Sequence, residues 1–230
     1  MANLTPEEIL RGIIDGSLTA LSDSGISNVA QRKLQSHTAI SQVGLPQLRS
    51  IGTSTFEASG ISEAVFPKLT YIPNRAFAEC KSLTKVFLPG ITTGASGNSL
   101  AFERCTALQV LVLGRGGDGA FARYCTSLTA LDVLRQGFNL LDSFGGCTAL
   151  NKIIMRWTSG VAGMPQSALN NTPFASGKAG GTVYVPQALV SDYQNATNWS
   201  AIFAQNANNQ ILPIEGSIYE TQYADGTPIE

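Results

Sequence analysis

The chain has 230 residues, a formal net charge of −1, 43% apolar residues and 13% charged ones, against about 25% charged in an ordinary soluble domain. So balanced a charge gives no electrostatic ground for binding nucleic acid or an anionic membrane, and no apolar run reaches the ~18 residues needed to span a bilayer. The length is enough for one sizeable core, and nothing in the composition calls for two.

In chain order, residues 1–17 read as a capping helix. Thr5-Pro6-Glu7-Glu8 is a capping box with proline at the first helical position. Ile9, Leu10, Ile13 and Ile14 form one apolar face, and Gly16 stops the helix. The segment has early acids and no apolar h-region, which is not the pattern of a secretion signal. The expectation is a product made in the cytoplasm.

Residues 18–186 carry a repeat. Cys80, Cys105, Cys125 and Cys147 recur at steps of 25, 20 and 22 residues. Each stands three places before a leucine: Leu83, Leu108, Leu128 and Leu150. Apolar residues follow each leucine at three and five places, as in Leu83/Val86/Leu88 and Leu108/Leu111/Leu113. Ile61/Ala64/Phe66 and Ile40/Val43/Leu45 extend the spacing backward. A second half-pattern precedes the cysteine slot: Leu69, Ile72, then Phe77; earlier Leu48, Ile51, then Phe56; earlier still Ile26, Val29, then Leu34. Ser59 and His37 fill the cysteine slot in those earlier copies. Phe102, Phe121 and Phe144 continue the aromatic position, and Phe174 is expected to close it. Six clear units run from about Ile26 to Met155. One unit cannot bury both its apolar sets alone, so stacked units must share one long core. Pro46, Pro67, Pro89 and Gly114 fall just after the strands; proline lacks the ladder donor and so suits a strand end.

Equivalent positions in stacked strands lie roughly 5 Å apart, within the Cα range of a disulfide. A small apolar residue filling one core slot per unit explains the cysteine ladder without bonds, and Ser59 and His37 in the same slot show that pairing is not required. The chain has no Cys-x-x-Cys and one histidine, so no zinc site and no other metal or cofactor is expected.

Thr182-Val183-Tyr184-Val185-Pro186 reads as a last strand. Residues 187–214 read as a helical cap built on Ala188, Leu189, Tyr193, Trp199, Ile202 and Phe203, broken between Asn195 and Trp199. Residues 215–230 read as a tail that leaves the core.

The outward strand positions form two columns. The first holds Gln42, Glu63, Lys85, Val110, Ala130, Lys152 and Thr182. The second holds Gly44, Val65, Phe87, Val112, Asp132, Ile154 and Tyr184. The apolar stripe Val65, Phe87, Val112, Ile154 and Tyr184, interrupted by Asp132, is a candidate partner surface, with Phe87 and Tyr184 as aromatic anchors. A neighbouring subunit could cover the stripe instead, and β-propensity alone also favours such residues on a sheet. Chemistry-bearing motifs are missing. Gly114-Arg115-Gly116-Gly117-Asp118-Gly119 lacks the ending of a phosphate loop. His37 sits in the cysteine slot without a nucleophile motif beside it, and Asp15, Asp23 and Asp142 have no cation-loop spacing. No catalytic residue is assigned, and a non-enzymatic chain is expected.

Phe77-Ala78-Glu79-Cys80-Lys81-Ser82-Leu83-Thr84-Lys85-Val86-Phe87-Leu88-Pro89 resembles the BspA-like leucine-rich repeat: phenylalanine, cysteine three on, leucine three further, then a short strand ending in proline. Val183-Tyr184-Val185-Pro186 with Tyr193 and Ala196-Thr197-Asn198-Trp199 resembles the closing segment of such arrays. The resemblance spans roughly residues 18–214. It departs where Phe121 stands four residues before Cys125, and in the uneven connections 89–99 and 114–119, where irregular units are expected. It implies an α+β repeat solenoid, an array of short parallel strands between an N-terminal capping helix and a C-terminal helical cap. It also implies a non-enzymatic interaction protein of the bacterial-surface or phage-tail type. The expected partner is a protein or glycan on a host cell surface, bound by Glu63, Val65, Lys85, Phe87, Val110, Val112, Asp132, Lys152, Ile154 and Tyr184. The alternatives are neighbouring virion subunits, a homo-oligomer, or an adhesin at the bacterial surface. No nucleic acid and no membrane insertion are expected.

Overall fold

The computed structural model describes residues 11–12, 20–22, 26–92, 99–115, 121–136, 144–163 and 166–229. The expected capping helix lies outside these residues except for Arg11 and Gly12, which are helical. Most of the two connections expected to be irregular also lies outside them.

The strands are short and parallel. In chain order they are β1 (Ala20–Ser22), β2 (Asn28–Val29), β3 (Gln42–Gly44), β4 (Ser50–Ile51), β5 (Glu63–Val65), β6 (Lys85–Leu88), β7 (Val110–Leu113), β8 (Ala130–Val133), β9 (Lys152–Met155), β10 (Thr182–Val185) and β11 (Gln210–Pro213). β5 to β11 form one seven-stranded sheet in sequence order. β1 pairs with β3, and β2 with β4, in separate two-stranded sheets. The second half-pattern, with Val29 and Ile51 buried, thus makes its own short ladder. β3 stays in line with the main sheet through Ser62 N–H to Ser41 O at 3.0 Å.

The register is in phase throughout. Ala64, Val86, Leu111, Leu131, Ile153 and Val183 stand side by side, all buried. One continuous apolar core runs from Ile26 to Ile202, as repeat stacking requires. The aromatic positions stack face to face along it, Phe56 on Phe77 and Phe77 on Phe102, each pair at 5.2 Å.

The turn before the cysteine slot is held by main-chain bonds from coil to coil. Phe56 N–H donates to Ala76 O, Phe77 N–H to Ala101 O, and Phe144 N–H to Ala168 O. Each slot thiol adds a bond: Cys80 Sγ to Phe56 O at 2.8 Å, and Cys105, Cys125 and Cys147 Sγ to Phe77, Phe102 and Ala122 O, each at 3.0 Å. All four cysteines are free and buried. Burial pushes the Cys80 thiol up to about 11. Contact with a neighbouring slot thiol, Cys105 and Cys125 respectively, raises Cys125 and Cys147 further, and burial adds to this. Those three thiols, so far from ionising, are inert filler. An ion cluster ties the outside of the same turns, with Arg75 reaching Glu57 at 2.6 Å, Glu103 at 3.2 Å and Glu79 at 3.5 Å.

Two departures from the aromatic series have a geometric reason. Cys147 bonds to Ala122 O, so Ala122 holds the backbone place of Phe102, and the ring comes from Phe121 one residue earlier. Phe121 therefore meets Phe102 edge-on, at 73°, where the earlier pairs lie flat. The series does not close on Phe174. Because Phe144 N–H bonds to Ala168 O, Leu169 takes the aromatic position, and Phe174 instead packs where a Cβ on Gly181 would stand.

The C-terminal cap holds two helices, α1 (Val190–Asn195) and α2 (Thr197–Ala204), broken at extended Ala196. Tyr193, Trp199 and Ile202 seal the core. Trp199 Nε1–H donates to Ala162 O, and Tyr193 Oη accepts from Ala162 N–H. Burial lifts the Tyr193 phenol to about 12. The segment expected as a helical cap also contains β11, which adds a further rung in register with β10. Leu212-Pro213 repeats the strand-ending pattern of Leu88-Pro89 and Val185-Pro186.

The residue just before the slot is left-handed in every described coil: Ser36, Ala58, Glu79, Arg104, Tyr124, Gly146 and Asn171. Only one of these is glycine. At Gly146 (φ +80) a Cβ would stand 2.6 Å from the Tyr124 ring. Gly146→Ala is therefore expected to lower stability by about 1–2 kcal/mol in urea unfolding. Ala58→Gly should leave it unchanged or higher.

Candidate functional site: the strand face and its tail

The parallel register turns the outward positions into two straight columns. The second reads Val65, Phe87, Val112, Asp132, Ile154, Tyr184 and Leu212 across β5 to β11. The first reads Glu63, Lys85, Val110, Ala130, Lys152, Thr182 and Gln210.

The second column is not an open stripe. The tail turns back after β11 and crosses the face from β10 to β6. Tyr219 packs edge-on against Tyr184 at 4.8 Å. Ile214, Tyr219 and Ala224 enclose Ile154 in a second apolar cluster. Tyr223 meets Phe87 edge-on at 5.5 Å, and Asp225 pairs with Lys85 at 2.9 Å. The expectation of a tail leaving the core is corrected. A row of apolar side chains facing water is lowered in free energy by the nearest apolar cover, and the chain's own last residues supply it.

The centre of this contact is charged. Asp132 is 0% exposed. Both its oxygens accept from Arg156, at 2.7 and 2.8 Å, and Ala224 N–H donates to Oδ2 at 2.9 Å. Arg156 also donates to Tyr219 O at 2.7 Å and Gln222 O at 2.9 Å, and its guanidinium lies 5.1 Å above the Tyr223 ring. One buried bidentate pair therefore fixes three points of tail backbone and one aromatic face. Burial, the largest influence on Asp132, holds its carboxyl above the usual range against the pull of Arg156 and the Ala224 amide. For Asp225 burial also raises, but Lys85 and Thr227 outweigh it and bring the carboxyl below its ordinary value.

The ten expected site residues therefore divide. Val112, Asp132 and Ile154 are fully buried, so as exposed contact residues they are corrected: the tail lies over Asp132 and Ile154. Lys85, Phe87 and Tyr184 are half-buried tail contacts. Glu63, Val65 (37% exposed) and Lys152 are open, and Val110 is half-open. Arg156, Tyr219, Tyr223, Ala224 and Asp225 were missed. A lone aspartate inside an apolar column was their signal, because a carboxylate there needs a partner. Asp225-Gly226 marked a tight turn.

Truncating Asp132 leaves Arg156, 12% exposed, without its counter-charge. Asp132→Ala is expected to cost about 3–5 kcal/mol in urea unfolding, and replacing both partners (Asp132→Val with Arg156→Met) should recover most of it. For Asp225 the sign runs as for any depressed carboxyl. Its contribution is full above the ordinary 3.8 and is lost as pH falls through the lower folded value. The stability margin of the unmodified chain over Asp225→Asn, read by urea unfolding against pH, should therefore be flat at neutral pH and close in acid.

A family model for the BspA type leucine rich repeat region matches six copies across residues 27–141, half of the chain. No curated protein matches the chain. The matched units are those whose slot thiols, stacked aromatics and parallel strands build the face, and the stacking continues beyond them through β9, β10 and β11. Arrays of this kind support a role in protein interaction. The chain belongs to the BspA-type leucine-rich repeat family.

Proposed function

We propose that this chain is a non-enzymatic recognition module that binds a protein or glycan partner through the strand face of its solenoid, in a phage or prophage tail or on a bacterial surface. The observation that carries the reading is the phase of the repeat. It lines up outward side chains in columns over seven parallel strands, an extended array suited to an extended partner. The open parts of that array are its two ends, Glu63 and Val65 at β5 and Gln210 and Leu212 at β11, together with Lys152 in the first column.

A partner surface here mixes both charge signs with only two exposed apolar side chains, Val65 and Leu212, so charge placement sets its specificity.

Glu63→Ala, Val65→Ala and Lys152→Ala together change exposed side chains, each worth within about 0.5 kcal/mol of stability. The triple variant should keep its unfolding midpoint and lose about tenfold or more in binding to host cells, or about 1.4 kcal/mol. Unchanged binding would sink the strand-face reading. A stable oligomer by light scattering, with host-cell binding absent, would favour the virion-subunit alternative.

A further inference from the structure

We infer that the buried Asp132–Arg156 pair is the seat of a recognition site for a tight hairpin loop with an aromatic residue two places before an aspartate. Tyr223-Ala224-Asp225 occupies it in cis, and the same loop on a protein partner takes its place. The inference deepens the proposed function and rests on the reading of the strand face as the partner surface.

The solenoid itself has no use for a charge at this position. The neighbouring rungs put Val112 and Ile154 there, and a buried ion pair is on balance no more stabilising than apolar residues of the same volume. What the pair adds is direction. Asp132 accepts one main-chain N–H from the loop, and Arg156 donates to two main-chain carbonyls. Those three bonds read backbone shape and not side-chain identity. Identity is read at the rim, where Phe87 takes the ring of Tyr223 and Lys85 takes the carboxylate of Asp225.

The occupant is also a self-contained unit. Tyr223 N–H bonds to Thr227 O, Gly226 N–H to Tyr223 O, and Ile229 N–H to Thr221 O. Gln222 and Pro228 form an antiparallel bridge, and Asp225 accepts from Thr227. The loop can leave the face without losing these bonds. Between it and β11 lies exposed Gly216 at φ +79, a residue free to change its backbone angles. Taken as whole residues, 221–229 are exposed or half-buried, in contrast to the core strands, and the tail's buried groups past Gly216 are Tyr219 and the Asp225 carboxylate. Segments with so little burial open locally at less cost than the whole fold.

The test uses the full chain and a labelled synthetic peptide of residues 218–229. In the intact protein the cis loop competes with the peptide. Tyr219→Ala with Tyr223→Ala weakens that competitor and leaves Lys85, Phe87, Asp132 and Arg156 in place. The double variant should bind the peptide about tenfold or more tighter than the unmodified chain, the ~1.4 kcal/mol of one decade. Adding Lys85→Glu should abolish binding, and a peptide carrying Asp225→Lys should restore it. Absence of saturable binding to a folded double variant, or binding indifferent to Lys85→Glu, overturns the site. Hydrogen exchange on the unmodified chain decides the matter if the variant fails to fold. The Ala224 amide, which bonds across the contact to Asp132, should exchange by local opening, well ahead of β7 and β8. Exchange in step with those strands would make the tail a permanent part of the core and overturn the proposal. Loss of the peptide site with a positive result for the Glu63/Val65/Lys152 variant would leave the strand-face reading standing. The reverse pair of results would leave a loop site without it.

Discussion

Every feature of this molecule depends on one constraint: each coil must hydrogen-bond to the next at the same residue, coil after coil. Main-chain bonds such as Phe56 N–H to Ala76 O set that phase on the turn side, and the β ladder sets it on the strand side. The slot thiols reinforce it, because Cys80, Cys105 and Cys125 each donate to a carbonyl whose other lone pair already serves its own coil: Phe77 O takes both Cys80 N–H and the Cys105 thiol. A coil slipped by one residue would turn its strand side chains to the opposite face and move its thiol off the carbonyl. The case of Phe121 and Ala122 shows which part of the constraint is rigid. The backbone register is kept, and the aromatic ring shifts one place and turns its edge.

That phase has a consequence for the outer face. Columns of like residues become continuous, so any apolar character in one outward position is summed over the whole sheet. An uncovered stripe of Phe87, Val112, Ile154 and Tyr184 would favour association with whatever apolar surface came near. The tail removes that hazard in cis, and Asp132 with Arg156 gives the cover a single orientation. A purely apolar strap could settle at several positions along the column. A buried pair with a fixed fork of donors accepts only one. Such specificity comes at an energetic cost, visible in the raised carboxyl of Asp132.

The repeat, its phase and the identity of the face were legible in the chain. Leu83/Val86/Leu88 and its copies fix the inward rows. The proline after the strand fixes its end, and the cysteine ladder fixes the slot. The two cap helices and their break near Ala196 could be read from Tyr193, Trp199 and Ile202. The β11 rung was hidden behind the helices that precede it, although Leu212-Pro213 repeats the strand ending. The Phe174 assignment failed because it followed residue type, where the backbone follows hydrogen-bond phase and places Leu169 there.

The sequence by itself determined the period of the coil, the inward and outward sides of each strand, and the one polar break at Asp132 in an apolar column. These are local properties, set by spacings of two to twenty-five residues and by what each side chain does in water. Only the tertiary structure decided what covers that column. Ala224 and Asp132 are 92 positions apart, Arg156 and Gln222 are 66 apart, and no periodicity links them. Their meeting depends on where β11 ends and which way the chain turns at Gly216. Such a contact is selected by its energy in the folded state, and a repeat pattern does not encode it.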